Sequence, residues 1–335
     1  MSGYRFSVPR GHVRRLGCAR GFTLVELMVA MLLGAVVIAG VISVFLTNQQ
    51  VYRTNRGLSD VQASARIAFE LMARDIRAAG LTGCGNSARI ANAINSGTTY
   101  WYTNWGTPVM GYTASQKDPA SGTGGTERTT NTESLSLLGV DGVGYSVKAN
   151  SEPAGTFTLN ESSTPLKSGD IAMVCDPDHA AIVQMTTVSG STLTHAKSGT
   201  PGNCTNDLSY PTVCSSGSSY TFSANALVAR LSAVDWYVAT SAGGTSLYRM
   251  SLTTDDKGAT IRTDEMVRNV TSLQFGYHLA GSASYLSADK VTNWANVDAI
   301  QINLTMVSTD SRAGVDSKAI SRSFTSTTTL RNRVN

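Results

Sequence analysis

The chain has 335 residues, which is the length of about two average domains, and 41% of them are hydrophobic while only 15% are charged. This balance excludes a disordered polyelectrolyte, and the 39 serines and 39 threonines are typical of a β-rich protein with a neutral polar surface. The net charge of +4 comes from five arginines within residues 1–21, so the rest of the chain lacks the basic surface that a nucleic-acid-binding domain needs.

An apolar run from Phe22 to Leu46 follows this basic arm and contains one charged residue, Glu26. As a helix the run would rise about 37 Å, enough to cross a hydrocarbon core of about 30 Å. A secretory signal peptide is the alternative, but its apolar region spans only about 7–15 residues and a small-residue cleavage site should follow. Five arginines precede the run and three follow within twenty residues, which favours a cytoplasmic N-terminus and an external head.

The helix is predicted to continue past Leu46 to residue 79, a length of about 87 Å. Apolar residues recur there at spacings of three and four, in the order Leu58, Val61, Ala65, Phe69, Met72 and Ile76. This spacing places them on one face of an amphipathic helix, and Gly80 and Gly83 are stop signals. Residues 22–46 therefore suit a membrane or a fibre core, and residues 47–80 suit packing against a domain.

Beyond residue 80 the pattern changes to short β-type segments separated by Gly, Asn, Asp and Ser. The strongest strand predictions are 134–138, 171–175, 181–188, 226–240, 247–252, 269–278 and 297–307, with a hairpin connection within 239–246. Residues 86–130 are predicted to be an irregular surface excursion whose aromatic residues pack on the sheet, with a contact patch as the alternative. The predicted class is α+β: a long N-terminal helix packed on a large antiparallel β-rich head, residues 81–335.

The segment Arg20-Gly-Phe-Thr-Leu-Val-Glu26 resembles the prepilin processing site of type IV pilins and type II secretion pseudopilins. The resemblance implies that a prepilin peptidase removes residues 1–21 as a leader by cutting after Gly21, and that Phe22 becomes the N-methylated residue. It also implies that Glu26 pairs with the N-terminal amine of a neighbouring subunit during assembly. The alternative for Glu26 is a carboxylate that reaches the cytoplasmic interface.

Further segments are similar to minor pilins of the PilW type: 80–84, 169–175, 247–249, 287–302, 324 and 330–333. This likeness implies a minor pilin that joins other minor pilins and a tip subunit, primes type IV pilus assembly with the major pilin, and serves twitching motility and adhesion. It places the chain in the inner membrane as a single-pass protein with a periplasmic head, and then at the pilus tip. The alternatives are a pseudopilin of a type II secretion tip complex and a membrane-tethered periplasmic enzyme.

Cysteine usage fits an oxidising compartment once Cys18 is removed with the leader. Four cysteines remain: Cys84, Cys175, Cys204 and Cys214. Four cysteines allow three connectivities. The short loop between Cys204 and Cys214 favours that pair, which leaves Cys84 with Cys175. A zinc site is the rival, although no Cys-x-x-Cys motif occurs.

Candidate catalytic and metal-binding motifs are few. The run Cys175-Asp-Pro-Asp-His179 contains metal-ligand types, but a strand end turning at Asp-Pro-Asp is the preferred interpretation. No nucleophile elbow, zincin, P-loop or dinucleotide-binding motif occurs, and the four histidines are scattered at 12, 179, 195 and 278. We therefore expect a structural protein without cofactor or metal.

Overall fold

The computed structural model describes residues 21–84, 89–121, 127–152, 154–215 and 218–331. Of the predicted leader, residues 1–21, only Gly21 belongs to the described residues. Cys18 and His12 therefore lie outside them. The chain divides into two compact units, of which the first ends at Tyr52 and the second begins at Arg53.

One long helix, α1, runs from Leu24–Ala78, close to the predicted 22–79. Its buried side in the second unit consists of Gly57, Val61, Ala65, Ala68, Met72, Ala73 and Ile76. The predicted amphipathic face is thus confirmed, but Leu58 and Phe69 are only half-buried. The buried stripe includes Gly57, which lies close to a later segment of the chain. A Cβ at position 57 would lie 3.0 Å from the Cβ of Ala313. A side chain at position 57 would therefore require the segment around Ala313 to shift.

The described residues after α1 form fifteen strands. They are β1 Arg89–Asn92, β2 Val109–Tyr112, β3 Ser134–Ser151, β4 Thr156–Leu159, β5 Ile171–Cys175, β6 His179–Gln184, β7 Thr187–Ser189, β8 Thr192–Thr194, β9 Leu227–Ser241, β10 Gly244–Asp255, β11 Gly258–Arg268, β12 Val270–Leu279, β13 Tyr285–Leu286, β14 Val297–Val307 and β15 Ser321–Thr329. Eleven of them belong to one sheet and four to another. The β-rich head and the α+β class are therefore as predicted, with two sheets in the head.

The larger sheet is organised around the long strands β3 and β9. One path through it follows the order β1-β6-β5-β9-β3-β4-β8-β7, while β10 joins β9 and β11, and β2 joins β3. Strand β9 pairs along one edge with β3, and along its other edge first with β5 and then with β10. All pairs in this sheet are antiparallel except β1 with β6, which run parallel.

The smaller sheet has the order β13-β12-β14-β15. In β14 the side chains of Ile300, Ile302, Leu304 and Met306 are at most 1% exposed, so the alternation seen in the sequence marks a strand with one buried face. Strands β11 and β15 were not predicted. Strand β15 reads SRSFTSTTT and is exposed at most positions, so it lacks the apolar alternation on which strand prediction depends.

The prediction of an irregular excursion over residues 86–130 is wrong in part. This segment contains β1 and β2, and β2 continues the larger sheet beside β3. Its aromatic residues do pack inward: Tyr102 is 6% exposed and stacks against Tyr100 with ring centroids 5.1 Å apart. The short length of these strands, four residues each, explains why the Gly/Thr/Asn-rich composition concealed them.

The main core of the second unit lies between α1 and the two sheets. It joins helix residues such as Met72 and Ile76 to Trp236 of the larger sheet and to Ile302 of the smaller one. Glu133 links the two sheets directly, because its backbone N–H donates to the Leu273 carbonyl and its carboxylate accepts from the Phe275 N–H at 2.6 Å. The second half of α1 thus packs against both sheets, and Glu133 connects these sheets to each other.

Candidate processing and assembly site

The processing segment, residues 21–26, contains the start of α1. Thr23 is the N-cap: its Oγ1 accepts a hydrogen bond from the Glu26 N–H at 3.2 Å, and its carbonyl accepts from the Leu27 N–H at 3.1 Å. Thr23 and Glu26 have the spacing of a capping box, Thr-x-x-Glu, a signal that the sequence prediction did not use. The cap leaves the Gly21–Phe22 peptide bond outside the helix. The backbone at residues 21–23 is therefore non-helical.

Gly21 and Phe22 are not constrained by the part of the chain that the structure describes. A Cβ on Gly21 would meet no heavy atom within 4 Å, and its φ is not in the left-handed region. The Phe22 side chain is 80% exposed. Any requirement for glycine at this position must therefore come from a partner that recognises the segment, because folding of this chain does not impose it.

Glu26 lies in the first turn of α1, where a negative charge interacts favourably with the helix dipole. The residue is exposed, and among the described residues no basic side chain forms an ion pair with its carboxylate. Its backbone N–H donates to Thr23 Oγ1, and among the described residues no hydrogen bond to its carboxylate is seen. The carboxylate is thus free to meet a partner outside the chain.

The first half of α1 is apolar on every side and exposed on every side. The large hydrophobic residues from Phe22 to Leu46 are 52–80% exposed. By length and composition, α1 is the one helix in the described part of the chain that could cross a membrane, and none of its most apolar stretch is buried. Gly34 and Gly40 have open space where a Cβ would stand, so another helix could approach closely at both positions.

The four cysteines of the head are joined as two disulfides. Cys84, after the end of α1, is bonded to Cys175 at the end of β5, with 5.9 Å between their Cα atoms. Cys204 is bonded to Cys214 across a short loop, with a Cα separation of 5.1 Å. The first bond ties the segment after the helix to the larger sheet, and the second closes a surface loop.

The run Cys175–His179 is a turn between β5 and β6. The Asp176 carboxylate accepts hydrogen bonds from the N–H groups of Asp178 and His179 and from the Tyr220 hydroxyl. Burial alone would raise the pKa of Asp176, but these bonds and one from the Ser223 N–H outweigh it and lower the pKa. The carboxylate oxygens of Asp176 are therefore occupied by hydrogen bonds within the protein. No group of three or more His, Cys, Asp or Glu residues that could hold a metal occurs in the described ranges.

The three described histidines have separate partners. His179 Nε2 contacts the Leu208 carbonyl, His195 Nε2 lies 2.7 Å from Glu152 Oε1, and His278 Nδ1 lies 2.6 Å from Asp298 Oδ1. No two of them share a partner in these hydrogen bonds, so each described histidine is held by a separate contact of the head.

These features define a prepilin-like protein: a processing segment, an apolar helical half and a disulfide-bonded β-rich head. Comparison with family models agrees at both ends of the chain. Residues 17–42 match the prokaryotic N-terminal methylation motif, and residues 235–332 match the type IV Pilus-assembly protein W family. Over these two segments the chain is thus similar to prepilin-like proteins of the PilW type. Neither a curated protein nor a solved structure matches it.

The two matches cover different parts of the molecule. The methylation motif contains the whole processing segment and the first turns of α1. The W-family match begins in β9 and includes β10, β11 and the whole smaller sheet. The matched regions thus contain the apolar first half of α1 and the sheet that packs against its second half.

Proposed function

We propose that this chain is a minor pilin that joins other minor pilins and a tip subunit, and that this complex primes type IV pilus assembly. Prepilin peptidase cuts between Gly21 and Phe22 and methylates the new amine. The apolar half of α1 then holds the protein in the inner membrane, with the leader side in the cytoplasm and the head in the periplasm. From there the protein moves into the pilus tip, above the major pilin. Its role is structural, and it supports twitching motility and adhesion.

The observation that carries this proposal is the complete exposure of the apolar half of α1 beside an accessible processing segment. A helix that is hydrophobic on all sides is stable only in a membrane or among other helices. Because residues 22–46 have no covering partner in the described chain, either lipid or neighbouring subunits must cover them. The match to the methylation motif at the same residues supports neighbouring subunits as a partner of this helix, in addition to lipid.

Glu26 has a specific task in this proposal. A carboxylate surrounded by apolar helices is costly unless a positive group meets it. Cleavage creates such a group, the N-terminal amine of Phe22, on every subunit. Pairing between Glu26 of one subunit and the amine of its neighbour would set the axial register of the helices.

Mass spectrometry of the N-terminal peptide from purified membranes tests the processing step. We expect a peptide that begins with N-methylated Phe22. An intact Met1, or an N-terminus beyond Leu46, would contradict the proposal. Gly21→Ala should block cleavage while leaving the fold unchanged, since its own chain leaves room for the added methyl group.

A charge-only change tests the assembly step. Glu26→Gln keeps the backbone N–H that Thr23 accepts, and removes only the negative charge. We expect normal processing and a loss of surface pili and twitching. Glu70→Gln, an exposed acid in the second half of the same helix, is the matched control and should assemble normally. If the Glu26 variant instead loses type II secretion and keeps its pili, the protein is a pseudopilin.

A further inference from the structure

Beyond the end of α1, one face of the larger sheet continues without a helix over it and forms a polar cleft of about 470 Å³. Four arginines from four different elements line this cleft: Arg74 of α1, Arg230 of β9, Arg249 of β10 and Arg262 of β11. Two carboxylates, those of Asp75 and Asp141, also line it. The lining therefore presents more guanidinium than carboxylate groups, and two further acids, Asp170 and Asp264, approach two of the arginines from beside it.

The strand registers place these side chains on the same face. Val234 pairs with Leu137 on one side and with Ser251 on the other, and Ser251 pairs with Arg262. Arg230 lies four residues before Val234 in β9, so it points to the same side. Because α1 covers Leu137 and Val234, the arginines stand directly beyond its last turn.

Two of the arginines are held in place by acidic neighbours. Arg249 makes two hydrogen bonds to Asp75, and Arg262 Nε lies 2.8 Å from Asp264 Oδ2. A guanidinium carries five N–H donors, and one carboxylate occupies at most two of them directly. Each fixed arginine therefore keeps donors for a second acceptor.

The other two arginines have unused donors. Arg230 Nε is buried and has no hydrogen-bond partner, although Asp170 Oδ2 lies 3.7 Å away. Asp170 is already bonded to the Thr254 hydroxyl and the Lys167 N–H, which accounts for this gap. Arg74 is exposed, and no carboxylate of the described chain forms an ion pair with it. Asp170 therefore does not saturate the donors of Arg230, and the guanidinium of Arg74 is open to an anion in the cleft.

We propose that this cleft binds a multivalent oxyanion, a phosphate or a carboxylate group, held by the guanidinium groups of Arg74, Arg230 and Arg262. Planar guanidinium groups bind both chemistries through paired charge-assisted hydrogen bonds. The volume admits a group the size of phosphate with its first substituent. This inference is independent of the role proposed for α1.

Calorimetric titration of the full-length chain in detergent with inorganic phosphate tests the proposal. Sodium chloride keeps the ionic strength constant, and citrate replaces phosphate in a second series. We expect saturable binding of at least one of the two anions. A preference for phosphate indicates a phosphorylated ligand, and a preference for citrate indicates a carboxylate-bearing one.

Arg74→Gln and Arg262→Gln are exposed substitutions that should leave the fold intact, and each should weaken binding about tenfold. Arg322→Gln is the matched control, because it removes an exposed arginine from β15 in the other sheet. Its affinity should equal that of the wild type. The proposal is overturned if neither anion gives more heat than chloride, or if the control variant weakens binding as much as the cleft variants.

Discussion

Arg249 of β10 donates two hydrogen bonds to Asp75 of α1, Nε to Oδ2 at 2.8 Å and Nη2 to Oδ1 at 3.3 Å. The indole N–H of Trp236 donates to the same Oδ2 at 3.0 Å. One helical carboxylate thus holds two side chains of the larger sheet, across 161 and 174 residues of sequence. This contact fixes how the last turns of the helix sit on the head.

We expect Asp75→Ala to lower the free energy of unfolding by about 2 kcal/mol, since it leaves a partly buried guanidinium and an indole N–H without their acceptor. Denaturant unfolding of the full chain in detergent measures this loss. Asp60→Ala is the control: Asp60 lies 4.0 Å from Arg56 and both side chains are more than half exposed, so its loss should cost less than about 1 kcal/mol. Equal losses for the two variants would contradict the role of Asp75.

Asp235 is a fully buried acid that lies beside a second carboxyl group, that of Asp118. Burial, and secondly the neighbouring Asp118, raise its pKa well above the ordinary value, while Arg128 acts weakly in the opposite direction. The folded state therefore favours the protonated acid. Its contribution to stability is complete below the ordinary aspartate pKa of about 4, and it is lost as the pH rises through the raised pKa.

Asp235→Asn mimics the protonated acid at every pH. We expect it to stabilise the protein by about 1–3 kcal/mol near pH 8, where the unfolded chain releases the Asp235 proton and the folded state resists its loss, and by much less near pH 4.5. Thermal unfolding of both proteins at the two pH values checks this. A stability difference that does not change with pH would show that the Asp235 carboxyl is not the titrating group.

His278 has acceptors on both ring nitrogens: Asp298 Oδ1 at Nδ1 and the Ser282 carbonyl at Nε2, 2.8 Å away. The hydrogen bond to Asp298 is the main reason that the pKa of His278 is raised. Two acceptors favour the doubly protonated ring. The resulting stability is complete below the ordinary histidine pKa of about 6.5 and is lost as the pH rises through the raised value.

We expect His278→Gln to cost up to about 1 kcal/mol near pH 5.5, because solvent reaches the pair and screens it, and close to nothing near pH 9. Asp298→Asn should show the same pH dependence, since it removes the carboxylate that favours the charged ring. Unfolding curves at the two pH values provide the measurement. If His278→Gln is equally destabilising at both, the contact is one of packing and the imidazolium has no part in it.

Gly139 of β3 lies against the end of α1. A Cβ at this position would stand 2.5 Å from the Ala78 carbonyl oxygen, and the Gly80 N–H donates to the neighbouring Leu138 carbonyl at 2.7 Å. Backbone cannot move aside as a side chain can, so Gly139→Ala should destabilise the protein by about 1–3 kcal/mol. Gly243→Ala is the control, since its Cβ would meet nothing within 4 Å. Unfolding midpoints that agree between the two variants would refute the close approach.

The sequence alone determined the parts of this protein that depend on local pattern. Spacings of three and four predicted the helix to within two residues at each end. Alternation predicted β14, and a short β-type run bounded by turn residues predicted β5, both with their observed limits. The processing segment was recognisable because its residues are consecutive. Periodicity and short motifs are read over a few residues, so no tertiary information was needed.

The tertiary structure decided the features that join distant residues. The Asp75 contact, the buried Asp235, the close approach at Gly139 and the arginine cleft each combine elements far apart in the chain, and none has a local signal. Strand β15 was missed for a related reason: most of its side chains are exposed, so only pairing with β14 makes it a strand. The division of the head into two sheets around α1 likewise follows from packing of apolar faces against each other, which the order of residues does not specify.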